Sequence, residues 1–129
     1  MTIKDNFEVP KSAQELPLPD EPNARFFVLY LSSIDPATNQ PWCGDVRRTL
    51  PLLNKTFSAD PSPEIHYAYV GSRYEYKEVP GSRFRTDWDI TRVPTLARYE
   101  RVNGQVKEVG RLVEGELLDE KRIGGLIGA

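Results

Sequence analysis

Apolar residues run along this chain in two rhythms, and the alternation between them outlines an architecture. Phe26-Phe27-Val28-Leu29-Tyr30-Leu31 is an unbroken apolar run, the pattern of a strand covered on both faces by helices. Ser32 to Pro41 reads as a loop, broken by Asp35-Pro36 and Asn39-Gln40-Pro41. From Gly44 to Phe57 the rhythm becomes helical, with Leu50, Leu53, Asn54 and Phe57 on one face. Asp45 suits the first turn of that helix, and Pro51 predicts a kink. Asp60-Pro61-Ser62-Pro63 forms a break before a second central strand, Ile65 to Val70. Two such strands joined through a helix make a parallel βαβ unit.

Gly71 to Arg92 is a long connection with a short helix predicted over Arg83 to Trp88. Thr95 to Val102 and Gln105 to Leu112 flank Asn103-Gly104, a strong hairpin signal. A last helix is predicted from Glu116 to Ile127, with Ile123, Leu126 and Ile127 on one face and Gly124-Gly125 weakening it. Before all this, residues 1–24 form an extension with a first strand, and Ser12-Ala13-Gln14-Glu15 matches a capping box. Pro17, Pro19 and Pro22 limit any helix there to a short piece. The order predicts one α/β domain over residues 1–129, a mixed sheet with helices on both faces and its core within 25–127.

Composition narrows the function. The 129 residues suffice for one core, so a monomer is expected. A net charge of −2, from 19 acidic and 17 basic residues, leaves no electrostatic footprint for nucleic acid or an anionic membrane. Lys and Arg are densest from Arg73 to Arg92, where Glu75, Glu78, Asp87 and Asp89 interleave them. No apolar run reaches membrane-spanning length, and Met1 to Pro10 lacks the pattern of a signal peptide. With one Cys and one His, neither an intramolecular disulfide nor a four-ligand zinc site can form. No metal or bound cofactor is expected, and a reducing, cytoplasmic setting is.

The chemistry centres on Pro41-Trp42-Cys43-Gly44-Asp45-Val46. Cys43 falls after a central strand and its loop, at the start of the next helix. Unpaired backbone N–H groups and the positive end of the helix dipole favour a thiolate there. By composition alone, a lone Cys also reads as a small buried hydrophobe. Val93-Pro94-Thr95 opens the hairpin strand at the end of the sheet where Cys43 is expected. His66 lies in an apolar strand and reads as a satisfied core residue.

Trp42-Cys43-Gly44 followed by Pro51, with Val93-Pro94-Thr95 before a hairpin and a terminal helix, resembles thioredoxin. The similarity is closer to the small cytosolic thioredoxin-related proteins whose active site reads Trp-Cys-Pro-Asp-Cys. Those share an extended loop like Ser32 to Pro41, an Asp matching Asp45, and an insert like Val70-Gly71, Tyr76-Lys77 and Phe84-Arg85. The resemblance covers about residues 25–127 and implies a thioredoxin fold. It also implies that Cys43 is the attacking thiol, Pro94 a cis-proline beside it, and Trp42 a shield over it. The Val93 backbone would pair with an extended disulfide substrate.

The departures carry equal weight. The second cysteine of the family is Val46 here, and the intervening proline is Gly44. A thiol that attacks a disulfide needs a second thiol to resolve the mixed disulfide. With Val46 in place, that thiol must come from outside, glutathione for example, and direct recharging by thioredoxin reductase is not expected. Asp45 places a negative charge near the thiol, against the helix dipole. Two main readings follow: a monothiol oxidoreductase acting on protein or small-molecule disulfides, persulfides or nitrosothiols, or a redox-inactive domain that binds proteins through the groove around Trp42 and Val93-Pro94. In a smaller third, Cys43-Gly44 resembles the glutathione-binding monothiol glutaredoxins, whose Phe-Ser pair is absent after Gly44.

Overall fold

The computed structural model describes residues 3–59 and 63–128. The continuous apolar run becomes the middle strand of the sheet, because a strand with neighbours on both edges and helices on both faces has no position for a polar side chain. This is β2 (Arg25–Leu31), and every residue from Phe26 to Leu31 is buried. In chain order the other strands are β1 (Ile3–Lys4), β3 (Ile34–Asp35), β4 (Gln40–Pro41), β5 (Ile65–Tyr69), β6 (Thr95–Val102) and β7 (Gln105–Val113). The helices are α1 (Gly44–Ser58), α2 (Arg83–Thr86) and α3 (Glu120–Gly128).

Five strands form a mixed sheet in the order β1-β5-β2-β6-β7. β1, β5 and β2 run parallel, and β6 and β7 run antiparallel to their neighbours. Register decides where the chain ends meet. Leu31 pairs with Tyr69 at the carboxyl ends of β2 and β5, while Tyr30 pairs with Thr95 at the start of β6. The loops after β2 and β5 and the segment before β6 therefore gather at one end of the sheet.

Alternate side chains of a strand face opposite ways, and both faces are covered. Tyr30 meets Phe84 of α2 edge-on at 6.3 Å. On the other face, Arg98 lies over the Phe27 ring and donates to the Leu126 carbonyl of α3. α1 buries Val46, Thr49, Leu53 and Phe57. Leu50 is only partly covered, and Asn54 is exposed, though its side-chain oxygen accepts from the Tyr67 hydroxyl at 2.7 Å. α1 runs on through Pro51, which sits on the solvent side.

Four local expectations change. Ser12 makes no side-chain cap, and Ala13–Glu15 is a single tight turn, so the capping box does not form. The Ser32–Pro41 loop contains a small hairpin of β3 and β4, closed by the Asp35 carbonyl accepting from Thr38 and Asn39. The connection after Gly71 gains a helical turn at Tyr74–Glu78. The terminal helix is interrupted: Glu114–Leu118 is a tight turn, and Asp119 caps a separate α3 by accepting from the Lys121 and Arg122 backbones. An aspartate that can bond the backbone itself competes with the helix interior and wins at an N-cap. Most of the Asp60–Pro63 break lies outside the described residues.

Candidate functional site

Cys43 is the residue that hands the chain from β4 to α1. Its backbone is extended (φ −91°, ψ 127°) and it occupies the N-cap of α1. Two contacts hold it. The Cys43 N–H donates to Ser32 Oγ at 3.3 Å, and Ser32 is fully buried at the end of β2. The Cys43 thiol donates to the Val93 carbonyl at 3.4 Å. Cys43 as a residue is half-buried, neither sealed in the core nor fully exposed.

Trp42 anchors the loop. Its indole N–H donates to the Gly71 carbonyl at 2.8 Å, and its own N–H donates to Ser33. Gly71 follows β5 at φ +97°, where a Cβ would also press on Glu75 at 3.1–3.4 Å, so glycine is favoured there. Arg73 covers the outer face of the ring at 5.0 Å and donates to the Trp42 carbonyl at 3.1 Å. Lys77 lies 5.7 Å from the same ring, and Tyr76 packs against it at 6.1 Å. Trp42 therefore shows little of its surface to solvent.

Gly44 and Asp45 form the first turn of α1, and the Asp45 carboxylate pairs with Arg48. That pairing offsets part of the negative charge beside the thiol. Val46 has no exposed surface. Opposite Cys43, the Val93–Pro94 bond is cis. Val93, Pro94 and Thr95 are all buried, and the Thr95 hydroxyl is spent on the Arg92 carbonyl at 2.6 Å. Thr95 thus closes the turn before β6 and presents no polar group outward.

Pattern reading gave no role at the site to Ser32, Ser33, Gly71, Arg47 or Arg73. The available signal was position: polar and small residues directly after the carboxyl ends of two adjacent parallel strands, where ligand crevices of open α/β sheets lie. His66, by contrast, sits at the other end. Its ring stacks on Phe26 at 4.1 Å and its Nδ1 lies 3.2 Å from the Phe27 carbonyl. Burial pushes its pKa below the ordinary histidine value. Among the described residues no cluster of metal-ligating side chains occurs, and no helix is long and apolar enough to cross a membrane.

A cysteine at a helix N-terminus facing the turn before β6, at the carboxyl end of a mixed sheet, defines a thioredoxin-type domain. The chain belongs to the thioredoxin domain-containing protein 17-like family, whose thioredoxin domain matches residues 4–121. It is 39% identical over 106 residues to a thioredoxin domain-containing protein of Schizosaccharomyces pombe, covering 81% of this chain and 84% of that one. It is 33% identical over 103 residues to the thioredoxin-like protein Clot of Arabidopsis thaliana, covering 75% of this chain and 76% of that one. The fold is similar to that of Trichomonas vaginalis thioredoxin (TM-score 0.50, 16% identity, 81% and 77% of the chains covered). Plasmodium falciparum thioredoxin is a second such structure (TM-score 0.50, 9% identity, 83% and 74% covered).

Proposed function

We propose that the protein is a thiol–disulfide oxidoreductase that works through Cys43 alone, in a reducing, cytoplasmic setting. The observation that carries this reading is the half-buried Cys43 at the start of α1, its sulfur 3.4 Å from the Val93 carbonyl. The Cys43 thiolate attacks one sulfur of a substrate disulfide. A Cys43–substrate disulfide forms, the original S–S bond breaks, and the departing thiolate takes a proton. An external thiol then attacks the Cys43 sulfur and releases the second substrate thiol. A second equivalent attacks the external thiol's own sulfur and frees Cys43. The balance is one substrate disulfide reduced to two thiols and two external thiols oxidised to their disulfide. Trp42, Gly44 and Asp45 shape the thiol's surroundings, and the Val93 backbone, held by cis-Pro94 and Thr95, pairs with an extended substrate.

The test is turnover of a peptide disulfide with and without glutathione, alongside mass spectrometry of the mixed disulfide. Turnover that needs glutathione and vanishes in Cys43→Ser supports the reading; a folded protein whose Cys43 never forms a mixed disulfide overturns it. A second reading rests on Val46, which replaces the resolving thiol with a fully buried side chain. On that reading the domain binds partners through the Trp42 and Val93-Pro94 surface without turnover, and partner binding survives Cys43→Ser.

A further inference from the structure

Beside the Cys43 loop lies a groove of about 550 Å³, bounded by Asp35, Trp42, Arg47, Ser72, Arg73 and Tyr74 among others. Its two arginines are placed in a related way. Arg47 donates one guanidinium N–H to the Pro41 carbonyl at 2.6 Å, and Arg73 donates one to the Trp42 carbonyl at 3.1 Å. Those are consecutive carbonyls, and the second is bonded directly to the Cys43 nitrogen. A guanidinium carries five N–H donors, so each arginine keeps an unspent edge. Among the described residues neither is in an ion pair, whereas Arg48, Arg92, Arg98, Arg111 and Arg122 each meet a carboxylate. The groove's acid is Asp35, one of whose oxygens accepts from the Ala37 N–H.

Two cations and one anion are therefore fixed around a cavity bounded by Trp42, the residue before the lone cysteine. The inverse set, two carboxylates and one ammonium, is what a γ-glutamyl-cysteinyl-glycine tripeptide carries. Carboxylates prefer arginine's planar fork, which binds both oxygens at once. An extended tripeptide spans roughly 10 Å at about 3.3–3.6 Å per residue, a length suited to two guanidiniums held on consecutive carbonyls. We propose that this groove binds glutathione as the resolving thiol, its carboxylates on Arg47 and Arg73 and its ammonium at Asp35. This rests on the monothiol reading above and supplies the component that reading lacks.

The test separates the two by removing the chemistry. Cys43→Ser protein is titrated with S-methylglutathione, which cannot form a disulfide, and followed by NMR. The expected result is shifts at the Trp42 indole N–H and Arg73, weakened at least about fivefold in Arg73→Gln and in Arg47→Gln, and largely kept in Arg73→Lys. Binding should fall as salt rises, since exposed charges are screened, and the dimethyl ester of the probe should not bind. Equal binding of the ester, unchanged affinity in both glutamine variants, or shifts confined to other regions overturn the proposal. If Arg73→Gln fails to fold, Arg47→Gln and the ester still decide. A Cys43 that turns over disulfides while S-methylglutathione ignores the groove leaves the monothiol reading standing and ends this one.

Discussion

The Cys43 thiol and the Val93 carbonyl lie 3.4 Å apart although 50 positions separate them in the chain. Cys43 reaches that point from β2 and β4, and Val93 from the segment that leads into β6. Since β2 and β6 are hydrogen-bonded neighbours, the contact follows from strand pairing. The thiol and the backbone it faces are thus held by one sheet.

Restoring a second thiol tests what Val46 costs the chemistry. Val46 is fully buried in the first turn of α1. Val46→Cys should allow an intramolecular disulfide with Cys43, seen as the loss of both free thiols on oxidation and their return with dithiothreitol. Peptide-disulfide reduction should then proceed with a dithiol in place of glutathione. The smaller side chain should cost about 1 kcal/mol of stability, measured by urea denaturation.

Trp42 should prove structural as well as functional. Trp42→Phe removes one of the two donors to the Gly71 carbonyl, which still accepts from the Ser33 N–H, and should cost about 0.5–1.5 kcal/mol. Trp42→Ala also removes packing against Tyr76 and should cost about 3–5 kcal/mol. Chemical denaturation followed by far-UV circular dichroism ranks the two.

The Tyr30 and Tyr99 hydroxyls are hydrogen-bonded to each other at 2.8 Å within the core. Burial pushes both phenols well above their ordinary value of 10.0. The unfolded chain therefore loses its protons first, and stability present below pH 10 declines as pH rises beyond it. Tyr30→Phe alone should cost about 1–3 kcal/mol by stranding the Tyr99 hydroxyl. The double phenylalanine variant should cost less than the sum of the single ones, and its alkaline unfolding should shift to higher pH.

His66 should govern part of the acid limb. Its folded pKa lies below the ordinary 6.5, chiefly from burial, with the Phe27 carbonyl and Glu64 pulling the other way and Lys4 adding to the fall. The unfolded chain takes up the proton first as pH drops through 6.5, so stability is full above that value and declines below it. Melting temperature measured from pH 7.5 down to 5 should fall in the native protein, and the slope should flatten in His66→Gln.

Periodicity carried a large part of this structure. The apolar run at Phe26–Leu31 has the pattern of a doubly covered strand, and α1, β5 and the β6–β7 hairpin follow from the same kind of local repetition. Placing Cys43 at the start of α1 needed no more than the change of rhythm after Pro41. Local competition was harder to see: Asp119 ends one turn through its backbone N–H to the Glu116 carbonyl and starts α3 through its carboxylate. What tertiary structure alone decided are the contacts between segments far apart in sequence. These include Ser32 beneath the Cys43 N–H, Gly71 receiving the Trp42 indole, and Val93 opposite the thiol. The pattern of apolar positions encodes which face of an element is buried, but the partner of each polar group there is set by strand order and register, which no single segment contains.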